Sequence, residues 1–188
     1  MNGNVKPFVV EFRDSITLIV GENGSGKSTM LKYMSDRKAA KRDGVTDKMV
    51  ISEESKNVRS MYFDTEKNNP RINRPASFNA VDVMNHLNGN MQSHGETLFP
   101  ILEYVGQMQN AVVLVDEPES GISLSNQKKL WEAFSAAAAN GCQLVIATHS
   151  YLFIQWAGEV FDMSSGKYVS SERYIESALA GKRKRGKT

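Results

Sequence analysis

Residues 21–29 read Gly-Glu-Asn-Gly-Ser-Gly-Lys-Ser-Thr, directly after the apolar run Ile16-Thr17-Leu18-Ile19-Val20. The spacing of Gly21, Gly26, Lys27 and Ser28 is that of the G-x-x-x-x-G-K-[ST] loop, and the strand that must precede it is present. Glycines let such a backbone curl until its N–H groups converge on phosphate oxygens. A helix starting near Lys27 would aim the positive end of its dipole at the same anion. Nine positions are therefore assigned to nucleotide binding: Gly21, Glu22, Asn23, Gly24, Ser25, Gly26, Lys27, Ser28 and Thr29. Lys27 would reach the β- and γ-phosphates, and the Ser28 hydroxyl would ligate Mg²⁺. A second group of residues, Asp116-Glu117, closes the apolar run Val112-Val113-Leu114-Val115. At the C-terminal edge of a strand both carboxylates can face the phosphate loop. Asp116 would hold Mg²⁺ through water, and Glu117 would polarise a water in line with the γ-phosphate. A third, Ala147-Thr148-His149-Ser150, follows another apolar run. A neutral His149 imidazole there could hydrogen-bond the γ-phosphate or the water and register hydrolysis.

These groups need strands that end together. The sequence predicts strands at Val5–Phe12 and Ile16–Val20 with a turn at Arg13-Asp14. A helix from Lys27 to Asp36 would carry Met30, Leu31 and Met34 on one face. Val50-Ile51 and Ser60–Phe63 read as short strands, and Asn68-Asn69-Pro70 breaks the pattern. Residues 71–110 contain Pro75, Pro100 and two histidines, with helical stretches over 79–87 and 96–108. They read as a small helical lobe inserted into the core. Ala111–Val115 and Leu144–Ala147 are buried strands. Between them Ser125–Ala139 is an amphipathic helix, with Leu130, Phe134 and Ala137 or Ala138 inward, ended by Asn140-Gly141. Strands alternating with helices argue for a doubly wound, mainly parallel sheet.

With these residues in place, the chain resembles the ABC-type P-loop ATPases over residues 5–165. Gly21–Thr29 looks like their Walker A motif, Leu114–Ser123 like Walker B with the D-loop, and Ile146–Ser150 like the H-loop. Within that class it is most similar to small soluble AAA-type ATPases related to the SMC and DNA-repair ATPases. The implied fold is α/β: a P-loop NTPase of ABC-ATPase type, a mainly parallel sheet flanked by helices, with a small inserted helical lobe. The expected division is 1–66 and 111–181 for the ATPase core, 67–110 for the lobe, and 182–188 for a basic tail. The resemblance further implies that two subunits sandwich two ATP molecules. Each would offer a signature loop to its partner's γ-phosphate. The usual Leu-Ser-Gly-Gly-Gln is absent, and Gln92-Ser93-His94-Gly95-Glu96 stands in its place and order. Ser93, His94, Gly95 and Glu96 are thus assigned in trans, with His94 a departure from glycine. Ser93 and Glu96 equally fit an ordinary helix cap. The Q-loop glutamine is missing, leaving Asp64 or Glu66 for its role. The adenine-stacking aromatic is missing too, with Phe8, Phe12 or Arg13 as substitutes. No guanine motif is found, so ATP is the expected substrate and Mg²⁺ the expected cofactor. The lobe is too short for an SMC-like coiled coil and shows no heptads.

The chain has 188 residues, 40% of them hydrophobic and 23% charged, ordinary for a soluble domain with a real core. No run is long enough to span a membrane, and the first residues do not read as a secretory leader. The single cysteine, Cys142, cannot form an internal disulfide and reads as a buried thiol, so a cytoplasmic setting is expected. Net charge is +2, but Lys182, Arg183, Lys184, Arg185 and Lys187 crowd the end; without those five the remainder stands at −3. Nucleic acid could bind that tail, although a solvated end is the simpler reading. The function expected is an ATP hydrolase whose ATP-bound homodimer switches a separate protein effector or a nucleic-acid-linked partner. The alternatives are an ATP-binding subunit of an ABC transporter, or an ATP-sensing module with little turnover.

Overall fold

A computed structural model describes residues 10–36, 60–64 and 105–180. Within them, elements from both sides of the intervening region build one six-stranded sheet. In chain order these are β1 (Ile16–Val20), α1 (Lys27–Ser35), β2 (Ser60–Asp64) and β3 (Val112–Asp116). They are followed by α2 (Leu124–Ala139), β4 (Gln143–Ala147), α3 (Tyr151–Ala157), β5 (Glu159–Asp162), β6 (Lys167–Ser170) and α4 (Ser171–Leu179). The spatial order is β2-β3-β4-β1-β5-β6. Five strands run parallel, and only β6 is antiparallel, returning beside β5. One strand, β4, therefore lies between the strand that feeds the phosphate loop and the strand that ends in Asp116.

The two sheet faces are both apolar, as a parallel sheet requires. Alternate residues Leu18, Val20, Val113, Val115, Leu144, Ile146 and Val160 face Leu130, Phe134 and Ala137 of α2 and Phe153 and Ile154 of α3. Their neighbours Ile19, Leu114, Val145, Ala147 and Phe161 face Leu31 of α1 on the other side. The inward residues expected of α2 and α1 are thus found: Ala137 rather than Ala138 is fully buried, while Met30 and Met34 pack at the margin beside Leu31. Cys142 is buried as expected.

The strand expected over Val5–Phe12 is not formed by its described part, Val10–Phe12, which is irregular. Side chains take its carbonyls instead of a ladder: Gln143 Nε2 donates to Phe12 O at 3.1 Å, and Tyr168 Oη to Glu11 O at 2.8 Å. The helix expected to reach Met108 stops at Gly106, and Met108 N closes a turn onto Val105 O. Residues 151–179, not divided into elements by the sequence reading, supply α3, the β5–β6 hairpin and α4. The predicted strand at Val50-Ile51, the signature residues Ser93, His94, Gly95 and Glu96, the Q-loop candidate Glu66, Phe8 and the tail lie outside the described residues. Among the described residues, no helix is long and apolar enough to cross a membrane.

Candidate functional site

The C-terminal ends of β2, β3, β4 and β1 lie side by side, so every motif of the central sheet opens onto one edge. The phosphate loop leaves β1 at Gly21, whose φ is 151°. A Cβ there would lie 2.8 Å from Ser25 Oγ and 3.2 Å from Met163 Cβ, so only glycine fits the loop entrance. Ser25 N donates to Glu22 O at 3.1 Å, which curls the loop back on itself. Gly26 caps α1 in the left-handed region with no side chain on the helix's first amides. Those amides are left for an anion.

Lys27 is buried, and its ammonium points back across the loop. It donates to Gly21 O at 3.1 Å and Glu22 O at 3.4 Å, and lies 2.8 Å from His149 Nε2. The ammonium has only donors, so it donates to this ring nitrogen in the tautomer that leaves Nε2 without a proton. Burial pulls the Lys27 pKa below its ordinary value, while Glu117, Asp116 and Glu119 pull the other way. Burial thus withholds water from the ammonium, while the carboxylates around it favour its charged form.

On β3, Asp116 accepts from Ser28 Oγ at 3.0 Å with one oxygen and from Tyr62 Oη at 3.1 Å with the other. Burial raises its pKa; the two hydroxyls oppose that, and Asp64 and Glu117 reinforce it. Asp64 lies at the end of β2, in register with Asp116, and is buried. The Tyr62 phenol is held well above its ordinary value by burial and by the two aspartates. Among the described residues no three His, Cys, Asp or Glu side chains form a protein-only metal cage. A serine hydroxyl beside one carboxylate instead suits Mg²⁺, which keeps waters and phosphate oxygens in its shell. Ser28 and Asp116 fit such an ion.

Glu117 follows with a left-handed backbone, φ 47°. Its amide donates to Ala147 O at 2.9 Å, extending the β3–β4 ladder one residue past the strand. Its Oε1 lies 3.7 Å from His149 Nε2. Glu117, Lys27 and His149, the candidates for base, phosphate contact and switch, therefore meet at one ring nitrogen. Two residues at this edge were not singled out in the sequence. Tyr62 lies two positions before Asp64 on one strand face, and that alternation could have marked it. Glu119 accepts from His149 N and carried no such signal. Of the residues proposed to contact adenine, Phe12 packs partly buried beside α1, and the Arg13 guanidinium sits 5.9 Å over the Tyr168 ring. Ser123, where the D-loop often has aspartate, caps α2 by accepting from Asn126 N; both residue types are good caps.

A family described as "AAA domain, putative AbiEii toxin, Type IV TA system" matches residues 98–155, and one described as "AAA domain" matches residues 3–35. No curated protein matches the chain. Among solved structures, a dimeric bacterial ABC transporter cassette, MJ0796, is 14% identical over 86% of this chain and 88% of its own, with TM-score 0.55. The same cassette bound to ADP and Pi gives 11% identity over 86% and 88%, with TM-score 0.49. UvrA2 from Deinococcus radiodurans gives 19% over 57% of this chain and 17% of its own, with TM-score 0.39. The first of these carries the fold. With partial AAA-domain matches at 3–35 and 98–155, the chain has the fold of a P-loop ATPase cassette of the ABC type, a mainly parallel sheet with three ordered motifs at one edge.

Proposed function

We propose that the chain binds and hydrolyses ATP with Mg²⁺ in a nucleotide sandwich formed by two copies, and that the ATP-bound dimer switches a separate effector. One observation carries the reading: Lys27, Ser28, Asp116, Glu117 and His149 converge at one strand edge through contacts of 2.8–3.7 Å. Bound Mg²⁺ would neutralise phosphate charge there. Lys27 exchanges its backbone acceptors for phosphate oxygens, Glu117 orients the attacking water and accepts its proton, and His149 reports the γ-phosphate. In this reading residues 67–110 form the lobe that presents Ser93–Glu96 to the partner copy, and Asp64 takes the Q-loop role. The cassette that shares the fold was captured as a dimer, which supports looking for one here. The description matched at 98–155 is that of an AAA domain linked to a putative toxin of a toxin–antitoxin system, which supports placing the switch in a system of that kind.

The test is solution mass by light scattering for Glu117→Gln, with and without ATP·Mg²⁺. That variant binds ATP but stalls, so a dimer should appear only with nucleotide, and adding Ser93→Arg should abolish it. An unchanged mass with binding confirmed rules out the sandwich. For hydrolysis, Lys27→Ala and Glu117→Gln should each lower phosphate release by about 100-fold or more. Wild-type release in both variants sinks the hydrolytic role.

A further inference from the structure

The His149 amide lies in a gap between two hydrogen-bonding systems. The β4 ladder ends just before it, with Thr148 N donating to Ile19 O at 3.1 Å. Helix α3 begins just after it, with Ser150 as cap accepting from Phe153 N at 3.3 Å. Neither offers His149 N an acceptor, and a backbone donor in such a place needs one. Glu119 Oε1 supplies it from the loop that follows β3. That loop is itself fixed by two successive turns, Ser120 N to Glu117 O at 3.0 Å and Ile122 N to Glu119 O at 3.2 Å. The other oxygen, Oε2, is buried and takes no hydrogen bond from any described residue. The carboxylate is thus spent on one backbone amide, at the base of the ring that touches Lys27 and faces Glu117.

We propose that Glu119 is a positioning residue for phosphate transfer: it anchors the His149 backbone and so sets the aim of the imidazole. It couples the carboxylate-bearing loop after β3 to the histidine-bearing loop after β4, so the base candidate and the switch move as one unit. The same carboxylate adds to the negative field around the Lys27 ammonium. This inference rests on the ATPase reading above.

The experiment compares full-length wild type, Glu119→Gln, Glu119→Ala, His149→Ala and the Glu119→Ala/His149→Ala double variant. Phosphate release is followed against ATP concentration with Mg²⁺, and exchange of the His149 amide is followed by NMR without nucleotide. Glu119→Ala should lower kcat about 10-fold with KM little changed, and should speed exchange of that amide. Glu119→Gln keeps an oxygen acceptor and should retain most of kcat. The double variant should be no slower than His149→Ala alone, because the anchor has nothing left to aim. Losses that multiply in the double variant, or Glu119→Gln as slow as Glu119→Ala, would overturn the proposal. So would amide exchange indifferent to Glu119→Ala. Wild-type release no greater than that of Lys27→Ala defeats the parent reading and this role with it. Normal release untouched by Glu119→Ala defeats this role alone.

Discussion

Asp116 shows what the site costs the fold. Burial raises its pKa, and the nearby carboxylates Asp64 and Glu117 add to the rise against the hydroxyls of Ser28 and Tyr62. A raised carboxyl is worse off ionised in the folded chain than in the unfolded one. Below the unfolded pKa, near 3.9, there is no penalty. As pH rises through the folded pKa, the favourable protonated state is lost and the full penalty stands at neutrality. Asp116→Asn should therefore raise the Tm of nucleotide-free protein at pH 7, and the gain should shrink towards pH 4. An equal gain at both values would refute burial as the cause. The same variant should lose Mg²⁺-dependent ATP binding by calorimetry, since its amide is a poor partner for the ion. At Gly21 the argument is steric: the new methyl in Gly21→Ala meets Ser25 Oγ at 2.8 Å. ATP affinity should fall by about 10-fold, roughly 1.4 kcal/mol, while far-ultraviolet circular dichroism stays the same.

At the scale of elements, α2 is held by Phe134, 1% exposed, whose ring lies 6.2 Å from Phe153 of α3 in an edge-to-face pair. Phe134→Ala should cost about 3–5 kcal/mol of unfolding free energy in urea titrations. A loss under about 1 kcal/mol would mean that α2 does not bear on the sheet. The elements most legible in the sequence are those whose signals are local. Ile16–Val20, Val112–Val115 and Leu144–Ala147 are continuous apolar runs, and the 3.6-residue spacing of Leu130, Phe134 and Ala137 marks an inward face. What could not be read depends on distant partners. The placing of β4 between β1 and β3 is a sheet property that no run of residues encodes. Tyr62 and Glu119 act through contacts 54 and 30 positions away in the chain. The irregular path of Val10–Phe12, despite its strand-like pattern, is set by Gln143 and Tyr168, far along the chain.

For the whole molecule, charge is unevenly placed. Net +2 becomes −3 when residues 182–188, with five of the basic side chains, are removed. Full-length protein should be retained on immobilised DNA to higher salt than the truncated form, because each phosphate contact steepens the salt dependence. Equal elution would exclude the tail as the polyanion contact. Another consequence lies in the aromatic cluster. The chain's two tryptophans, Trp131 and Trp156, have ring centroids 5.9 Å apart and both pack on Phe153. Helix α3, which carries Trp156, starts two residues after His149, and its cap Ser150 donates to Gln127 of α2 at 2.7 Å. A shift of the histidine on nucleotide binding would thus be handed along the chain to the indoles. The intrinsic fluorescence of the unlabelled protein should therefore change as ATP fills the site, an optical gauge readable in real time without a dye, and a spectrum indifferent to bound ATP would exclude that coupling.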